Sequence, residues 1–348
     1  MKHLFYVHSH ITFLVSKQYV FDQGINPEDC LLLSSRKYIL PEKYKDVFKH
    51  TLQFPQDVYH SDEVNFFKHG NIFNAYRKAR VIENIVNDFT HNAPFIFYTL
   101  NTGSHVHSII VTMDNCKGYY LIEEGANVYY PLPKSVAQLY KGWRNILFKL
   151  FLRPLMPKFF LLKDNVFSTS SEKYCGTIAS LKMAFADFRG EHFVTSNPFE
   201  NINLDFKPDV LISVDGSLCL YDISIKDIQQ LFSTLMHKYI HDAVVAYKFH
   251  PIFLSHKSKM DEVKNILNEV LGESSQELSC DVVLENILYT YHCDFYSDWS
   301  SVGIYGKSMG CKCYSYFPLL LGISTYPEYE KEARHHAPIL KQFFTFLS

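Results

Sequence analysis

The sequence predicts an α/β protein made of two Rossmann-like, doubly wound domains that face each other across a cleft. Short apolar runs, the length of buried parallel strands, alternate with longer stretches whose apolar residues recur at helical spacing. This alternation occurs twice, on either side of a segment rich in turn residues. One run, beginning at Ala243, ends in Lys248-Phe249-His250-Pro251, where the proline forbids further ladder pairing, as at the carboxyl end of a buried strand.

The first domain begins at the start of the chain. Residues 4–7 predict a strand, residues 8–10 a loop and residues 11–20 a helix, which together form the first unit of a doubly wound domain. The helical spacing of apolar residues predicts a second helix over 73–89. Further strands are predicted at residues 30–33, 94–100, 107–111 and 118–122.

The second domain repeats the pattern after a linker. Residues 193–198 and 201–208 are rich in turn residues and lack periodicity, which places the domains at 1–200 and 201–348. Strands are predicted at residues 210–214, 244–250, 294–296 and 311–317, and helices at 225–239, 260–271 and 302–309. The last stretch, 326–346, predicts a helix kinked at Pro338 that crosses back and packs on the first domain.

Length and charge limit the class of protein. The chain has 348 residues, more than one ordinary core holds, and its apolar fraction of 47% with 20% charged residues is that of a globular protein. A net charge of −2 gives no general attraction to nucleic acid, so we expect no nucleic-acid partner. The apolar N-terminus is too short for a secretory signal and no later run reaches transmembrane length, so we expect a cytoplasmic protein.

Two pairs of alternate histidines, His8/His10 and His105/His107, invite a metal site, because alternate residues of a strand share a face and imidazole is a common zinc ligand. No carboxylate or third histidine has the spacing to complete either site, so we expect no metal. Polar residues that line a cleft, or loop histidines, are the alternative interpretation.

The span 134–163 is basic, with no acidic residue among its lysines, arginines, aromatic and aliphatic side chains. This composition suits a peripheral contact with an anionic membrane surface, which would place the protein on the inner face of the cytoplasmic membrane. An ordinary helix with a solvated basic face, or a basic site for an anionic acceptor, fits the same residues.

Four short motifs lie at predicted strand ends or strand-to-helix turns. Lys248 and His250 are two apart, so on a strand they point to one side, and a cation beside an imidazole suits a phosphorylated ligand. The pair Ser300-Ser301 at a helix start offers hydroxyls beside free backbone N–H groups, which form a phosphate site. Glu285 shortly before is the type of residue that binds ribose hydroxyls.

The fourth motif, Glu123-Glu124-Gly125, supplies paired carboxylates. One member of such a pair can act as a general base, because each carboxylate raises the pKa of the other. Taken separately, each motif also has a plain interpretation: a charged turn, a capped histidine, a surface charge and a helix cap.

The order Glu-Glu-Gly, Lys-x-His-Pro and Ser-Ser resembles that of the bacterial sialyltransferases, which include lipooligosaccharide and capsule sialyltransferases and polysialyltransferases. Those enzymes share an acidic-acidic-Gly motif, a His-Pro motif and a serine pair, and the resemblance spans about residues 120–305. It implies the GT-B architecture, with CMP-sialic acid held mainly by the second domain. It also implies inversion of the anomeric centre with neither metal nor cofactor.

The resemblance implies a role for each matching residue. Glu124, next to Gly125, would be the catalytic base that deprotonates the acceptor hydroxyl, with Glu123 as the alternative, and His250 would contact or protonate the departing CMP phosphate. The remaining positions would bind the donor: Lys248, Ser300 and Ser301 at the phosphate, Glu285 at the cytidine ribose, and Pro251 and Gly125 elsewhere in the donor-binding set. No proline precedes Glu285, which departs from the family pattern.

Three alternatives stay open. The donor can carry another nonulosonate, such as legionaminic or pseudaminic acid, because the motifs bind CMP and do not contact the substituents of the sugar. A GT-B transferase of another family would use a UDP or GDP sugar. A non-catalytic module would bind anionic glycans through 134–163. The acceptor glycan is not encoded in any of these motifs.

Overall fold

The computed structural model describes residues 1–35, 38, 40–41, 44, 47–54, 72–102, 105–130, 167–272 and 275–348. The chain divides into two compact units, Met1–Pro198 and Phe199–Ser348. The sequence-based division falls two residues further along, between 200 and 201. The roles of the two domains in binding acceptor and donor stay predictions.

The first unit is built on a parallel sheet of seven strands in the order β3-β2-β1-β4-β5-β6-β7. Its strands are β1 Lys2–Val7, β2 Cys30–Ser34, β3 His50–Gln53, β4 Phe95–Thr99, β5 Cys116–Ile122, β6 Tyr174–Ala179 and β7 Glu191–Val194. The chain moves outward from β1 to β3 and then returns to β4 on the other side of β1. The topological switch point, where doubly wound sheets bind ligands, therefore lies at the carboxyl ends of β1 and β4.

Three helices of the first unit are described: α1 (His10–Asp22), α2 (Ile72–Thr90) and α3 (His105–Thr112). The Ser9 side chain accepts a hydrogen bond from the Thr12 N–H and so caps the start of α1. Helix α2 is amphipathic and buries residues three and four apart against the sheet, among them Ala79, Ile82 and Val86.

The second unit has a parallel sheet of six strands in the order β10-β9-β8-β11-β12-β13. Its strands are β8 Val210–Val214, β9 Val245–Phe249, β10 Ser275–Glu277, β11 Asp294–Ser297, β12 Cys313–Ser315 and β13 Thr345–Phe346. Its helices are α4 Ser217–Leu220, α5 Ile225–Lys238, α6 Lys257–Leu271, α7 Leu284–Tyr291, α8 Val302–Ser308, α9 Phe317–Ile323 and α10 Pro327–Leu340. The switch point of this sheet lies between β8 and β11.

These two sheets confirm the predicted fold class, since each unit is a doubly wound parallel α/β domain. The predicted last helix is shorter than expected, because α10 ends at Leu340 and the chain then forms β13. Helix α10 buries Tyr329 and Ala333 in the core of the second unit itself. Its packing on the first domain stays a prediction.

The predicted strand over 107–111 is wrong, because these residues lie within α3. Strands β4 and β5 are parallel neighbours, and a parallel pair requires a crossover between its strands. The segment between them therefore cannot continue the sheet. Val106, Ile109 and Ile110 are buried at the helical spacing of three and four, although β-branched residues favour strands.

Part of the predicted linker is also wrong, because Phe193 and Val194 belong to β7 at the edge of the first sheet. Three of the four residues of this strand are exposed, so the sequence shows no apolar run there. Strands β3 and β10 were not predicted for the same reason, because they are short and contain mostly exposed residues.

The predicted membrane contact over 134–163 lies outside the described residues and stays a prediction. In the described ranges no helix is both long enough and apolar enough to cross a bilayer. All eight cysteines are described and free; Cys280 is exposed, Cys175 is half-buried and the other six are buried.

We expect the core of the second unit to depend on the buried face of α6. Leu267 is fully buried on this helix, whereas the side chain of Lys264 is exposed and contacts Glu277. Replacing Leu267→Ala leaves a cavity and should cost about 2–5 kcal/mol in the free energy of unfolding. Lys264→Ala on the same helix should change it by less than about 0.5 kcal/mol. Urea unfolding of both variants measures the difference, and equal midpoints would contradict the packing of α6.

Candidate functional site

The motif Glu123-Glu124-Gly125 directly follows β5 at the carboxyl edge of the first sheet. Gly125 has φ 115° and ψ −141°, a conformation that only glycine adopts readily, and it opens a 3-10 turn over Ala126–Tyr129. The glycine of the motif is therefore required by the backbone, because it turns the chain immediately after the two carboxylates.

The two adjacent glutamates lie in different environments. Glu123 is fully buried, and its Oε1 accepts a hydrogen bond from the Tyr129 hydroxyl. Its Oε2 accepts from the Ser180 N–H at 2.6 Å and from the Ser180 hydroxyl at 2.7 Å. Since Ser180 follows β6, Glu123 ties together the ends of β5 and β6. This arrangement suits a carboxylate that positions the turn. Its role as the alternative base stays a prediction.

Glu124 lies beside a histidine at the same edge. Its Oε2 is 3.7 Å from Nε2 of His8, and both side chains are largely shielded, with exposed fractions of 11% and 7%. The Asn127 Nδ2 donates to Oε1 at 3.4 Å. His8 follows β1, so a carboxylate and an imidazole meet next to the switch point of the first sheet. Such a pair can accept a proton from a hydroxyl and stabilise it on the imidazole or the carboxylate.

Neither histidine pair has the strand geometry that suggested a metal. His8 and His10 follow β1, with His10 already in α1, where its Nδ1 lies 3.4 Å from the Tyr38 hydroxyl. His105 and His107 lie on α3, and His107 Nδ1 donates to the Asn101 carbonyl at 2.7 Å. Within the described residues no cluster of three or more potential metal ligands occurs. Metal independence itself stays a prediction.

His250 ends β9 and opens the next turn. Its Nδ1 accepts a hydrogen bond from the Ile252 N–H at 3.2 Å, which leaves the hydrogen of the neutral ring on Nε2. The residue keeps an exposed surface, while the protein atoms around the ring and then the charge of Lys248 lower the pKa of His250 below its ordinary value. At neutral pH the His250 ring is therefore neutral and presents its Nε2–H. Pro251 starts the 3-10 turn Pro251–Ser255 that carries the capping amide.

The ring of His250 rests on the turn that follows β8. A Cβ at Gly216 would lie 2.8 Å from His250 Nδ1, closer than any real side chain allows. Glycine at this position therefore permits the imidazole to lie directly against the backbone between β8 and α4.

Lys248 is buried rather than directed at solvent. It is 7% exposed, and its Nζ donates to the Val282 carbonyl at 2.6 Å. Burial lowers the pKa of Lys248, and the negative charge of Glu285 opposes that shift. Glu285 is itself 6% exposed in the first turn of α7, so its interpretation as a surface charge is wrong. The two predicted donor-binding residues thus lie in one buried, oppositely charged environment.

Ser300 and Ser301 lie between β11 and α8 and are partly exposed. The Ser300 Oγ accepts from the Val302 N–H at 3.4 Å, as in a capped helix start. Within the described part of the chain no hydrogen bond joins His250 to either serine. Their predicted contact with a phosphate, like the ribose contact of Glu285, stays a prediction.

The sequence-based prediction missed Asp215 and Asp298, which directly follow the adjacent strands β8 and β11 and are buried together. It also missed the pairing of His8 with Glu124. The sequence does contain an indication of the acid pair, because Asp215 and Asp298 each immediately follow the apolar end of a strand at the switch point. Strand order, which decides that these two ends are neighbours, is not written in either segment.

No protein-family model and no curated protein sequence matches this chain. Solved structures match it in fold. A putative UDP-N-acetylglucosamine 2-epimerase from Listeria monocytogenes is 11% identical with a TM-score of 0.51, over 90% of this chain and 78% of that one. The MnaA–UDP co-structure from S. aureus is 10% identical with a TM-score of 0.50, over 98% of this chain and 88% of that one.

A Photobacterium sp. 2,6-sialyltransferase, solved with CMP and lactose, is 11% identical with a TM-score of 0.49, over 86% of this chain and 68% of that one. At such identities a structural likeness shows the architecture alone. The chain has the GT-B fold, and its two doubly wound units agree with that assignment.

The two adjacent glutamates should respond differently to the same substitution. Glu123→Ala leaves the Ser180 N–H without its acceptor and should cost about 1–3 kcal/mol in the free energy of unfolding, because a buried donor is then unsatisfied. Glu124→Ala should cost less than about 1 kcal/mol, since its contacts with His8 and Asn127 are long. Urea unfolding of both variants tests this, and a larger loss at Glu124 would reverse the assignment.

Proposed function

We propose that the protein is an inverting glycosyltransferase that moves sialic acid from CMP-sialic acid to a hydroxyl of a bacterial surface glycan, either lipooligosaccharide or capsule. The reaction as proposed uses no metal ion and no cofactor. One observation carries the proposal: the Glu124–His8 pair lies at the carboxyl edge of the first sheet of a GT-B fold, where a base for an acceptor hydroxyl is needed.

Glu124 would act as the general base. Its carboxylate is held by the turn at Gly125 and shielded from most solvent, so that a bound hydroxyl rather than water is the proton donor. His8, 3.7 Å away, would orient the carboxylate and share the proton that the carboxylate takes from the acceptor hydroxyl. Attack by the deprotonated acceptor on the face opposite CMP then inverts the anomeric carbon.

The second unit would stabilise the leaving group. As the bond to the anomeric carbon breaks, negative charge builds on the CMP phosphate, and preorganised donors act most strongly at that stage. The Nε2–H of His250 is such a donor, because Nδ1 is already occupied by the Ile252 amide. Lys248 adds positive charge behind it, and Ser300 and Ser301 add hydroxyls beside the start of α8. Glu285 would bind the cytidine ribose.

The decisive experiment incubates the protein with CMP-sialic acid and a panel of labelled glycans and identifies products by mass spectrometry. Glu124→Gln should lower the transfer rate by about 10²–10⁴-fold, the usual contribution of a general base, while CMP affinity changes by less than about twofold. His250→Ala should also lower the transfer rate, and His250→Gln, which keeps an N–H donor, should lose less. Lys264→Ala, on the exposed face of α6, is the matched control and should keep full activity.

Several results would overturn the proposal. Full transfer by both Glu124→Gln and His250→Ala would show that the site lies elsewhere. Transfer only from CMP-legionaminic or CMP-pseudaminic acid would keep the mechanism and change the sugar. Epimerisation of UDP-N-acetylglucosamine without transfer would replace the reaction, and glycan binding without turnover by any donor would indicate a binding module.

A further inference from the structure

Two buried carboxyl groups outside the predicted set lie at the switch point of the second sheet. Asp215 follows β8 and is 6% exposed, and Asp298 follows the neighbouring strand β11 and is fully buried. Both occur at the place where the two halves of the doubly wound sheet diverge. None of the roles proposed above uses them.

Asp215 is fixed by donors that come from three parts of the unit. Its Oδ1 accepts from the Ser213 hydroxyl at 2.7 Å, and its Oδ2 accepts from the Asp298 backbone N–H. The Tyr316 hydroxyl lies 3.4 Å from Oδ2 and donates to the Ser213 carbonyl at 2.9 Å. A backbone N–H can only donate, so Asp215 must present an unprotonated oxygen to Asp298.

Asp298 makes its own contacts through groups that can either donate or accept. Its Oδ2 is hydrogen-bonded to the Ser217 hydroxyl, and its Oδ1 lies 2.9 Å from the Tyr329 hydroxyl. Its backbone carbonyl accepts from Ser315. Because hydroxyl groups can reverse, Asp298 can hold a proton without losing these bonds.

Burial of the two acids next to each other favours a proton on the pair. Burial raises the pKa of Asp215 to about 6. Burial and the charge of Asp215 raise the pKa of Asp298 well above its ordinary value. The other titratable groups that face the pair are phenols, Tyr316 before α9, Tyr329 on α10 and Tyr221 after α4, and they supply no positive charge.

The pair connects the two segments that carry the predicted phosphate ligands. On one side, Asp215 is followed by Gly216, on which the His250 ring rests, and by Ser217, which bonds to Asp298. On the other side, Asp298 is followed by Trp299 and then by Ser300 and Ser301. The hydrogen bonds from the Asp298 N–H to Asp215 and from Ser217 to Asp298 thus join the two turns.

We propose that Asp215 and Asp298 are positioning residues that hold the turn beneath His250 and the turn bearing Ser300 and Ser301 in a fixed relation. The role of those residues toward a phosphate rests on the proposed function, whereas the coupling of the two turns does not. We assign no ligand to the pair itself, because both residues are buried.

The cost of the arrangement supports a positioning role. Burying two acids next to each other is unfavourable, and apolar residues of similar size would pack a sheet edge without that cost. Perturbed acids in such positions concentrate at functional sites, where geometry must be exact to a fraction of an ångström. A displacement of about 1 Å can lower a rate by about 10²-fold.

The test compares Asp298→Asn, Asp298→Ala, Ser217→Ala and Leu267→Ala. Asp298→Asn keeps the size of the side chain and groups that can bond to Ser217 and Tyr329, so its transfer rate should stay within about threefold of the original. That change is far smaller than the effect of a lost positioning group. Asp298→Ala should lower kcat by about 10–100-fold and change the donor KM little, because the misplaced donors act on the transition state. Leu267→Ala destabilises the same unit away from the pair and should keep kcat at a temperature where the variant remains folded.

A readout independent of turnover decides the coupling of the turns. In an NMR titration, with the resonance assigned by His250→Gln, the pKa of His250 should move toward its ordinary value in Asp298→Ala and Ser217→Ala and stay unchanged in Leu267→Ala. An unchanged His250 titration in both Asp298→Ala and Ser217→Ala would overturn the inference. If the protein transfers no sialic acid but the pKa of His250 shifts in these variants, the proposed function is refuted and the coupling of the two turns stands.

The raised pKa of Asp215 also predicts how stability depends on pH. Because the folded pKa of Asp215 is raised from 3.8 to about 6, its contribution to stability is fully present below pH about 4 and is lost as the pH rises through about 6. Asp215→Asn should remove this part of the pH dependence between about 4 and 6 in urea unfolding. An unaltered pH profile in Asp215→Asn would contradict the raised pKa of Asp215.

Discussion

Parallel pairing is the constraint on which both units depend. A parallel strand cannot be joined to its neighbour by a tight turn, so each strand must be followed by a crossover that returns the chain to the opposite edge. All carboxyl ends therefore meet at one edge of each sheet, and Glu123, Glu124, Asp215, His250 and Asp298 all follow strands at that edge. The same constraint favours a helix over residues 105–112 despite their β-branched side chains, because the chain must cross over between the parallel strands β4 and β5.

The central strands could be predicted because they are buried on both faces and read as continuous apolar runs, as in β1, β8 and β9. Edge strands could not, since β3 and β7 expose most of their residues and resemble loops. The prediction from local propensity was also wrong at α3, where the need for a crossover outweighs the preference of isoleucine and valine for strands. Strand order is a property of the whole sheet, and no single segment encodes it.

In the candidate site, too, some features could be predicted from the sequence and others could not. The sequence predicted the carboxylates of Glu123 and Glu124 and the end of β9 at His250, because such residues after an apolar run are conspicuous. It favoured Glu124 through the resemblance but could not show that Glu123 is hydrogen-bonded to Ser180, which lies 57 residues away along the chain. Nor could it pair Asp215 with Asp298 or His8 with Glu124, because these contacts depend on which strands are neighbours.

The distribution of thiols has a practical consequence. Cys280 is exposed, whereas Cys175 is half-buried and the other six cysteines are buried. Cys280 precedes by two positions the Val282 carbonyl that accepts the hydrogen bond from Lys248. A fluorophore or spin label with a maleimide or methanethiosulfonate group would attach there first. The native chain thus carries its own attachment point for a spectroscopic probe beside the buried lysine, without an engineered cysteine.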